Sequence, residues 1–558
     1  MATQPISEIH IEAEPQAPWL PMVVIAMAQI LMIFNVSSLQ VSIEGIVSSF
    51  RAPATTVGTA IVTYSLVVAG FIMLGARIGE MYGSQRVFRA MVALFGAAMA
   101  LMALSPGAVI MLIAQAIAGA AAAALVPTLV VLVANNYRGD QQEKALGWLG
   151  GAQAMGIVLA FLIAGALSTW IGWRFTFGLL VLLAATIYVL SAKLNPIKGR
   201  RGVSIDKAGV VMAAAAVFLI SIGANNLTKW GLLLAGPRAP FSVVDMSPAP
   251  IMIVCGIFLV QAFFAWSHQR QTSRQTPLIA LEVLETPQER SAVFSLFSIG
   301  ALGSAITFLV PLYIQIVQGR SGLQTAAAVI PFSLASFTAA VLVVRLFDRL
   351  SPRRLARYAF LLVAAGVGLL GVVIRNDWST VMVVLSMLLA GVGEGTLMTL
   401  LFNVLVTASP KELAGDVGSL RGTTNNLANG VGTALAGALL VGVLGTSVHR
   451  DLVHNPVIPI ELKREVNLDN VPFISNDQLL TTLGGTSATP EQVNEAVRLN
   501  KEARLVALKV SFFTLAGLAL LAFFPAAGLP GYVRGEIPGS DPASREQRRQ
   551  GPVAVNDR

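Results

Sequence analysis

The sequence predicts an all-α polytopic membrane protein built from a duplicated helical bundle, and three observations predict it. Hydrophobic residues make up 55% of the 558 residues, charged residues only 12%, and the mean hydropathy is +0.72; soluble domains carry about a quarter charged residues. Apolar runs of about 20 residues, the length a helix needs to cross a bilayer core, recur along the chain. Finally, one short pattern occurs twice: Ala76–Arg86 reads ARIGEMYGSQR and Val344–Arg354 reads VRLFDRLSPRR. In each, an apolar helix ends, an acidic residue follows (Glu80, Asp348), the chain breaks, and basic residues open the next apolar run. Repetition of this kind in two halves marks a duplicated bundle.

The apolar runs divide into fourteen expected spans. Those of the first half cover about 19–42, 56–79, 87–105, 108–134, 145–168 and 174–192. Two more, at about 208–227 and 250–267, lie between the halves. The second half has about 292–317, 323–345, 356–374, 380–407, 417–445 and 506–527. This gives an N-terminal tail (1–18), a six-helix bundle (19–192) and a linker with two extra helices (193–290). A second six-helix bundle (291–527) contains an outer segment (446–505), and a tail (528–558) follows.

An even number of spans puts both termini on one side, and the basic residues choose it. Lys193, Lys198, Arg200, Arg201 and Lys207 fill one connection, and Arg345, Arg349, Arg353, Arg354 and Arg357 another. Connections at the opposite end, such as Ser49–Thr56 and Asn376–Thr380, carry few. Both termini are therefore expected in the cytoplasm. The net charge of +9 is explained by these loops and not by nucleic acid. Residues 1–17 are polar and acidic, unlike a cleavable signal peptide, so the first span is expected to act as its own insertion signal. The tail after Gly528, rich in Gly, Pro, Arg and Glu, has the composition of a disordered segment.

Several chemistries are disfavoured. The single cysteine, Cys255, lies in an apolar run and offers neither disulfide nor metal site. The four histidines (His10, His268, His449, His454) are expected outside the spans, which argues against a histidine proton relay. No GxxxxGK[ST], HExxH or GxSxG pattern occurs, so neither nucleotide hydrolysis nor an enzyme is expected, and no cofactor or metal.

In the outer segment, Thr489-Pro490-Glu491-Gln492 forms a capping box with proline at the first helical position. A helix is expected to start there and run through Lys501 and Arg504 into the last span, as a surface cap or as a lid or partner contact. The fourth, twelfth and thirteenth spans are rich in small residues: Ala118–Ala124 around Gly119, then Gly391, Gly393 and Gly395, then Gly430, Gly432, Gly437 and Gly442. Small side chains let helices approach closely in lipid.

Ionisable residues at membrane depth are candidates for function. Glu394, inside Gly391-Val392-Gly393-Glu394-Gly395, is the clearest: it either exchanges a proton or cation, or accepts a hydrogen bond from Arg421 and orients helices. Arg421, Thr424, Asn425 and Asn429 fall on one helix side at their spacing. Glu44 lies near the outer end of the first span, and Lys509 can snorkel outward. Polar or aromatic residues at central depth (Gln40, Tyr64, Gln153, Tyr313, Gln315, Asn403) are further candidates for a substrate path. A broad, weakly charged cavity suits lipophilic or amphipathic substrates, including cationic ones that meet Glu394 or Glu44.

Motifs now add a family. The runs Pro311-Leu312-Tyr313-Ile314-Gln315, Gly319-Arg320-Ser321, Pro331 and Arg345-Leu346-Phe347-Asp348-Arg349 stand in the second half. Arg77 through Phe88, Trp173-Arg174, Asp206 through Gly209 and Pro277-Leu278 stand before them. With these the chain resembles the major facilitator superfamily, and within it the fourteen-span drug:proton antiporter family, over essentially its whole length. The resemblance implies two six-helix bundles plus two linker helices, alternating access, and export of drug-like compounds in exchange for protons across a bacterial inner membrane. Some members of that family work with a periplasmic adaptor. It also implies cytoplasmic gating loops at Arg77, Glu80, Gly83, Arg86, Arg345, Asp348 and Arg349. A carboxylate there, at a helix start, would be favoured by the helix dipole and could clasp neighbouring spans through arginines.

The chain departs from the family where coupling chemistry is expected. Asn35 stands where the family usually carries an aspartate, and Gln115, ahead of Gly119, where it usually carries an arginine. Ala160-Phe161 replace a Gly-Pro pair, Glu44 a proline, and Met81, Ser84 and Gln85 the usual basic residues of the first loop. Asn35, Gln115 and Asn425 join the substrate-path candidates. An acid and a base have both become amides, which a bundle tolerates but which removes a titratable site. An uncoupled or differently coupled facilitator is therefore an alternative, and a sensor or scaffold that binds without transport a further one.

Overall fold

The computed structural model describes residues 18–531 apart from 138, 195, 197–198, 200–203, 232, 237–238, 274, 276, 280, 285, 348, 376–379, 409–413, 456–478 and 481–488, with side chains at a few more helical positions also outside the description. The described residues are helical, with two isolated β-bridges among residues 234–246. Thirteen of the helices are long and apolar enough to cross a membrane. The expected fifth span falls in a further long helix, within which 156–170 is a shorter apolar stretch. The tails before 18 and after 531 and most of the outer segment lie outside the described residues.

The first bundle comprises α1 (Leu20–Val41), α2 (Ile43–Phe50), α3 (Thr55–Tyr82), α4 (Ser84–Ala103), α5 (Ala108–Asn136), α6 (Gly139–Trp170) and α7 (Trp173–Leu190). The linker helices are α8 (Lys207–Trp230) and α9 (Pro248–Thr272). The second bundle comprises α10 (Pro287–Leu312), α11 (Gly322–Val343), α12 (Pro352–Val373), α13 (Thr380–Ala408), α14 (Ala414–His454) and α15 (Pro490–Leu521). Within the first bundle the main pairs are α1–α6, α3–α5, α4–α5 and α4–α7; within the second they are α10–α14, α11–α13, α12–α13 and α12–α15. These are the same four pairings, helix for helix, so the duplication read in the loops extends to the packing. The halves meet through α3–α14 and α6–α11, themselves related by the exchange of halves.

Small residues make these pairings close. A side chain at Gly75 would collide with the backbone of Ala123 and Ala124, and one at Gly119 with the Tyr64 carbonyl, so α3 and α5 touch backbone to backbone. On α13, Gly391 and Gly395 lie against the Phe332 and Ser336 carbonyls of α11, and Gly393 against the Ala359 carbonyl of α12.

Helix ends follow local chemistry. Capping boxes open α10 (Thr286, Glu289), α11 (Ser321, Gln324) and α15 (Thr489, Gln492). The last places the helix start where the sequence put it, and α15 runs unbroken from Pro490 into the final span. Asp206 caps α8 by accepting from Gly209 N at 3.0 Å. It also takes Trp266 Nε1 at 3.1 Å and lies 3.5 Å from Arg270 Nε, both on α9, so one buried carboxylate joins the linker pair.

Two expectations need correction. Glu80 is not at a helix start: α3 continues to Tyr82 and ends at Gly83, whose φ of 94° is a conformation that favours glycine. The Glu80 carboxylate thus faces the unfavourable end of the dipole. The first span ends at Ser42, as its expected bounds had it, and a separate short helix, α2, follows to Phe50. His268 lies inside α9 rather than beyond the span.

Candidate functional site

The end of the bundle bearing α2, opposite the basic connections, is closed by a five-residue π segment. Pro311 has no N–H to donate, and after it residues Tyr313–Val317 continue α10 with π geometry before Gly322 opens α11. The widened turn aims three groups at three neighbours. Gln315 Nε2 donates to the Gln40 carbonyl at 2.9 Å, and its Oε1 accepts from Glu44 N at 3.0 Å, so one buried amide bridges the break between α1 and α2. Tyr313 Oη donates to the Arg375 carbonyl at 2.5 Å and accepts from Arg375 N at 3.1 Å, fixing the end of α12. The Ile316 carbonyl accepts from Arg504 Nη1 at 3.2 Å.

Arg504, expected on the helix leading into the last span but not among the site candidates, belongs to this cluster. It is fully buried on α15, with its Nε also donating to the Asn500 carbonyl at 3.3 Å. A signal was available: 500, 504, 508, 511 and 515 recur at helical spacing, which puts the arginine on the inward face. Beside the π segment, Gly165 of α6 and Gly322 of α11 face each other across the halves, and Leu323 N donates to Thr169 Oγ1 at 3.1 Å.

At mid-depth the two halves differ. In the first, Asn35 Nδ2 donates to Gln115 Oε1 at 2.9 Å and Gln115 Nε2 donates to Asn35 Oδ1 at 3.1 Å. Both residues have no exposed surface, and each amide satisfies the other. In the second, Glu394 is half-buried in α13, with its carboxylate over Gly303 of α10, where a methyl group would collide with Oε1. One turn along α10, a methyl at Gly300 would lie 3.5 Å from Asn425 Oδ1 of α14. The two glycines form a floor beneath a carboxylate and an amide. Among the described residues no hydrogen bond or ion pair engages the Glu394 side chain. Arg421, expected as its partner, instead stacks its guanidinium 4.1 Å from the Phe402 ring centroid.

The remaining candidates scatter. Tyr64 and Gln40 are buried, Glu44 is exposed beside the π segment, and Asn403 is half-buried on α13. The side chain of Gln153 and all of Asp348 lie outside the described residues. At the opposite, basic end, Arg77 Nη1 pairs with Glu80 at 2.9 Å on its own helix, while Nη2 donates to the Pro277 carbonyl at 3.0 Å. At that end the arginine therefore ties the first bundle to the linker through a backbone carbonyl. Gly83 is buried at the turn, and Arg86, Arg345 and Arg349 are exposed.

Comparisons with known proteins agree with this architecture. The chain is 24% identical to the multidrug efflux pump LfrA of Mycolicibacterium smegmatis over 78% of this chain and 83% of that protein. It is 27% identical to the puromycin resistance protein pur8 of Streptomyces alboniger over 79% and 86%. Its identity to the lincomycin resistance protein of Streptomyces lincolnensis is 25% over 61% and 67%. In structure it is similar to a bacterial homologue of the lysosomal transporter Spinster, with a TM-score of 0.58 at 13% identity, covering 92% of this chain and 98% of that one. A D-xylose–proton symporter gives a TM-score of 0.55 at 14% identity, over 75% and 90%. These likenesses speak for the fold. The sequence signature of the Major Facilitator Superfamily matches residues 25–433, most of the chain, and with the repeated bundle this makes the protein a member of that superfamily of transporters.

Proposed function

We propose that the protein is a secondary transporter that exports lipophilic or amphipathic compounds across a bacterial inner membrane by alternating access, in exchange for protons. In this reading fourteen spans cross the membrane, with both termini in the cytoplasm. The observation that carries it is Glu394: a carboxylate at mid-membrane, half-buried over a glycine floor and free of a described partner, can take up and release a proton as the cavity changes sides. The Gln315 bridge to α1 and α2 supplies a closure at the outer end that has to open once per cycle. The efflux and resistance proteins among the relatives support drug-like substrates.

The test is dye efflux from proteoliposomes with a pH gradient imposed or collapsed, for wild type and Glu394→Gln. Uphill efflux that needs the gradient, and falls to background in a folded Glu394→Gln protein, is the expected result. Transport indifferent to both gradient and Glu394 overturns proton exchange. The Asn35–Gln115 pair favours one second reading, an uncoupled facilitator, because two amides stand where an acid and a base would be expected to exchange a proton. An adaptor at the outer end would meet residues 446–505, and a purified complex would be needed to assign one.

A further inference from the structure

We infer that Arg421 and Phe402 form an anion-binding subsite on the substrate path, which takes the carboxylate or phosphate of an acidic amphiphile. The inference rests on the transporter reading and adds a chemical class to it. Arg421 sits early in α14, within the stretch long and apolar enough to cross a membrane, and the residue is half-buried. Its described contact is the face of Phe402 on α13, 4.1 Å from the ring centroid. Among the described residues no carboxylate or carbonyl accepts from it. Stacking on a ring returns less than it costs to hold a guanidinium at membrane depth. Stacking also leaves the guanidinium edge, with its forked donors, open for a planar acid.

The position is suited to a ligand. The next residue, Gly422, packs against Ile72 of α3 and faces Val126 of α5, so Arg421 lies beside the seam between the halves. Phe402 stands eight residues from Glu394 on the same helix, about 12 Å along its axis. A cation and an acid thus stand at different depths, and among the described residues no ion pair joins them. Phe402 holds the guanidinium over its ring and offers the apolar surface that the tail of an amphiphile needs.

The test uses the purified full chain and two fluorescent dansyl-alkyl probes that differ only in ending as a free carboxylate or its methyl ester. Wild type is expected to bind the acid about tenfold more tightly than the ester or better. Arg421→Gln should remove that preference while leaving ester binding unchanged. Phe402→Leu and Arg421→Lys, which keep the charge but lose the stacking or the fork, should reduce it in part; they also serve if Arg421→Gln does not fold. A wild type that binds acid and ester alike, or a preference that survives Arg421→Gln, overturns the subsite. Repeating the binding in nanodiscs with and without phosphatidylglycerol separates the sources. Displacement of the acid by that lipid in wild type makes a headgroup the natural occupant, and no displacement makes it a transported acid. If efflux fails in the proteoliposome test while the acid preference stands, only the transport reading falls.

Discussion

The two halves repeat one packing scheme yet treat their polar groups in opposite ways. In the first half an amide pair, Asn35 and Gln115, is sealed from solvent and satisfied on both sides. In the second, Glu394 and Arg421 are half-buried and meet a glycine floor and an aromatic face instead of each other. Duplication conserves helix contacts because backbone carbonyls and small residues fix them, while the charge at the centre is free to differ. A half-exposed charge without an ion pair among the described residues costs stability at membrane depth.

Moving the charge tests the contrast most severely. Asn35→Asp places a carboxylate in a sealed site with no cation, and should cost about 3–5 kcal/mol, read as a large loss of thermal stability in detergent. The double variant Asn35→Asp with Gln115→Arg should recover most of it. If the single variant is as stable as wild type, the pair is not sealed and the contrast collapses. Next in size, Gly303→Ala adds a methyl where the Glu394 carboxylate lies. An overpacking cost of about 1–3 kcal/mol is expected, and gradient-driven efflux should drop with it, whereas Gly517→Ala, with open space around its Cβ, should change neither. The smallest effect is expected at the basic end. Glu80→Gln breaks a partly exposed pair worth about 0–1 kcal/mol, and efflux should stay within twofold or so. A larger loss would mean that the loop, and not the mid-membrane carboxylate, limits transport.

Much of the fold was legible because a bilayer demands long apolar runs and leaves loops to carry the charge. The α15 start was legible for a local reason: Thr489 and Gln492 are three residues apart, and the box they form needs nothing from elsewhere. The amides at 35 and 115 stood out as replacements for charged residues, but that they satisfy each other depends on packing between helices eighty residues apart. Pro311 announced a disturbance in α10 without saying that it would resolve as a π segment, since the outcome depends on what Gln315, Tyr313 and Arg504 find around them. Glu80 was misplaced because the apolar run was expected to end at about residue 79, while α3 continues past the acid to Tyr82 and stops at Gly83.

The buried carboxylate of Asp206 has a consequence for biogenesis. Its partners at Gly209, Trp266 and Arg270 all lie within two consecutive helices, so it needs nothing from either bundle. As the chain leaves the ribosome, α8 and α9 can close into a finished hairpin before the second bundle has been synthesised. The linker can then enter the lipid as a preassembled unit, with its acid already shielded, and serve as a fixed wall against which the later helices assemble.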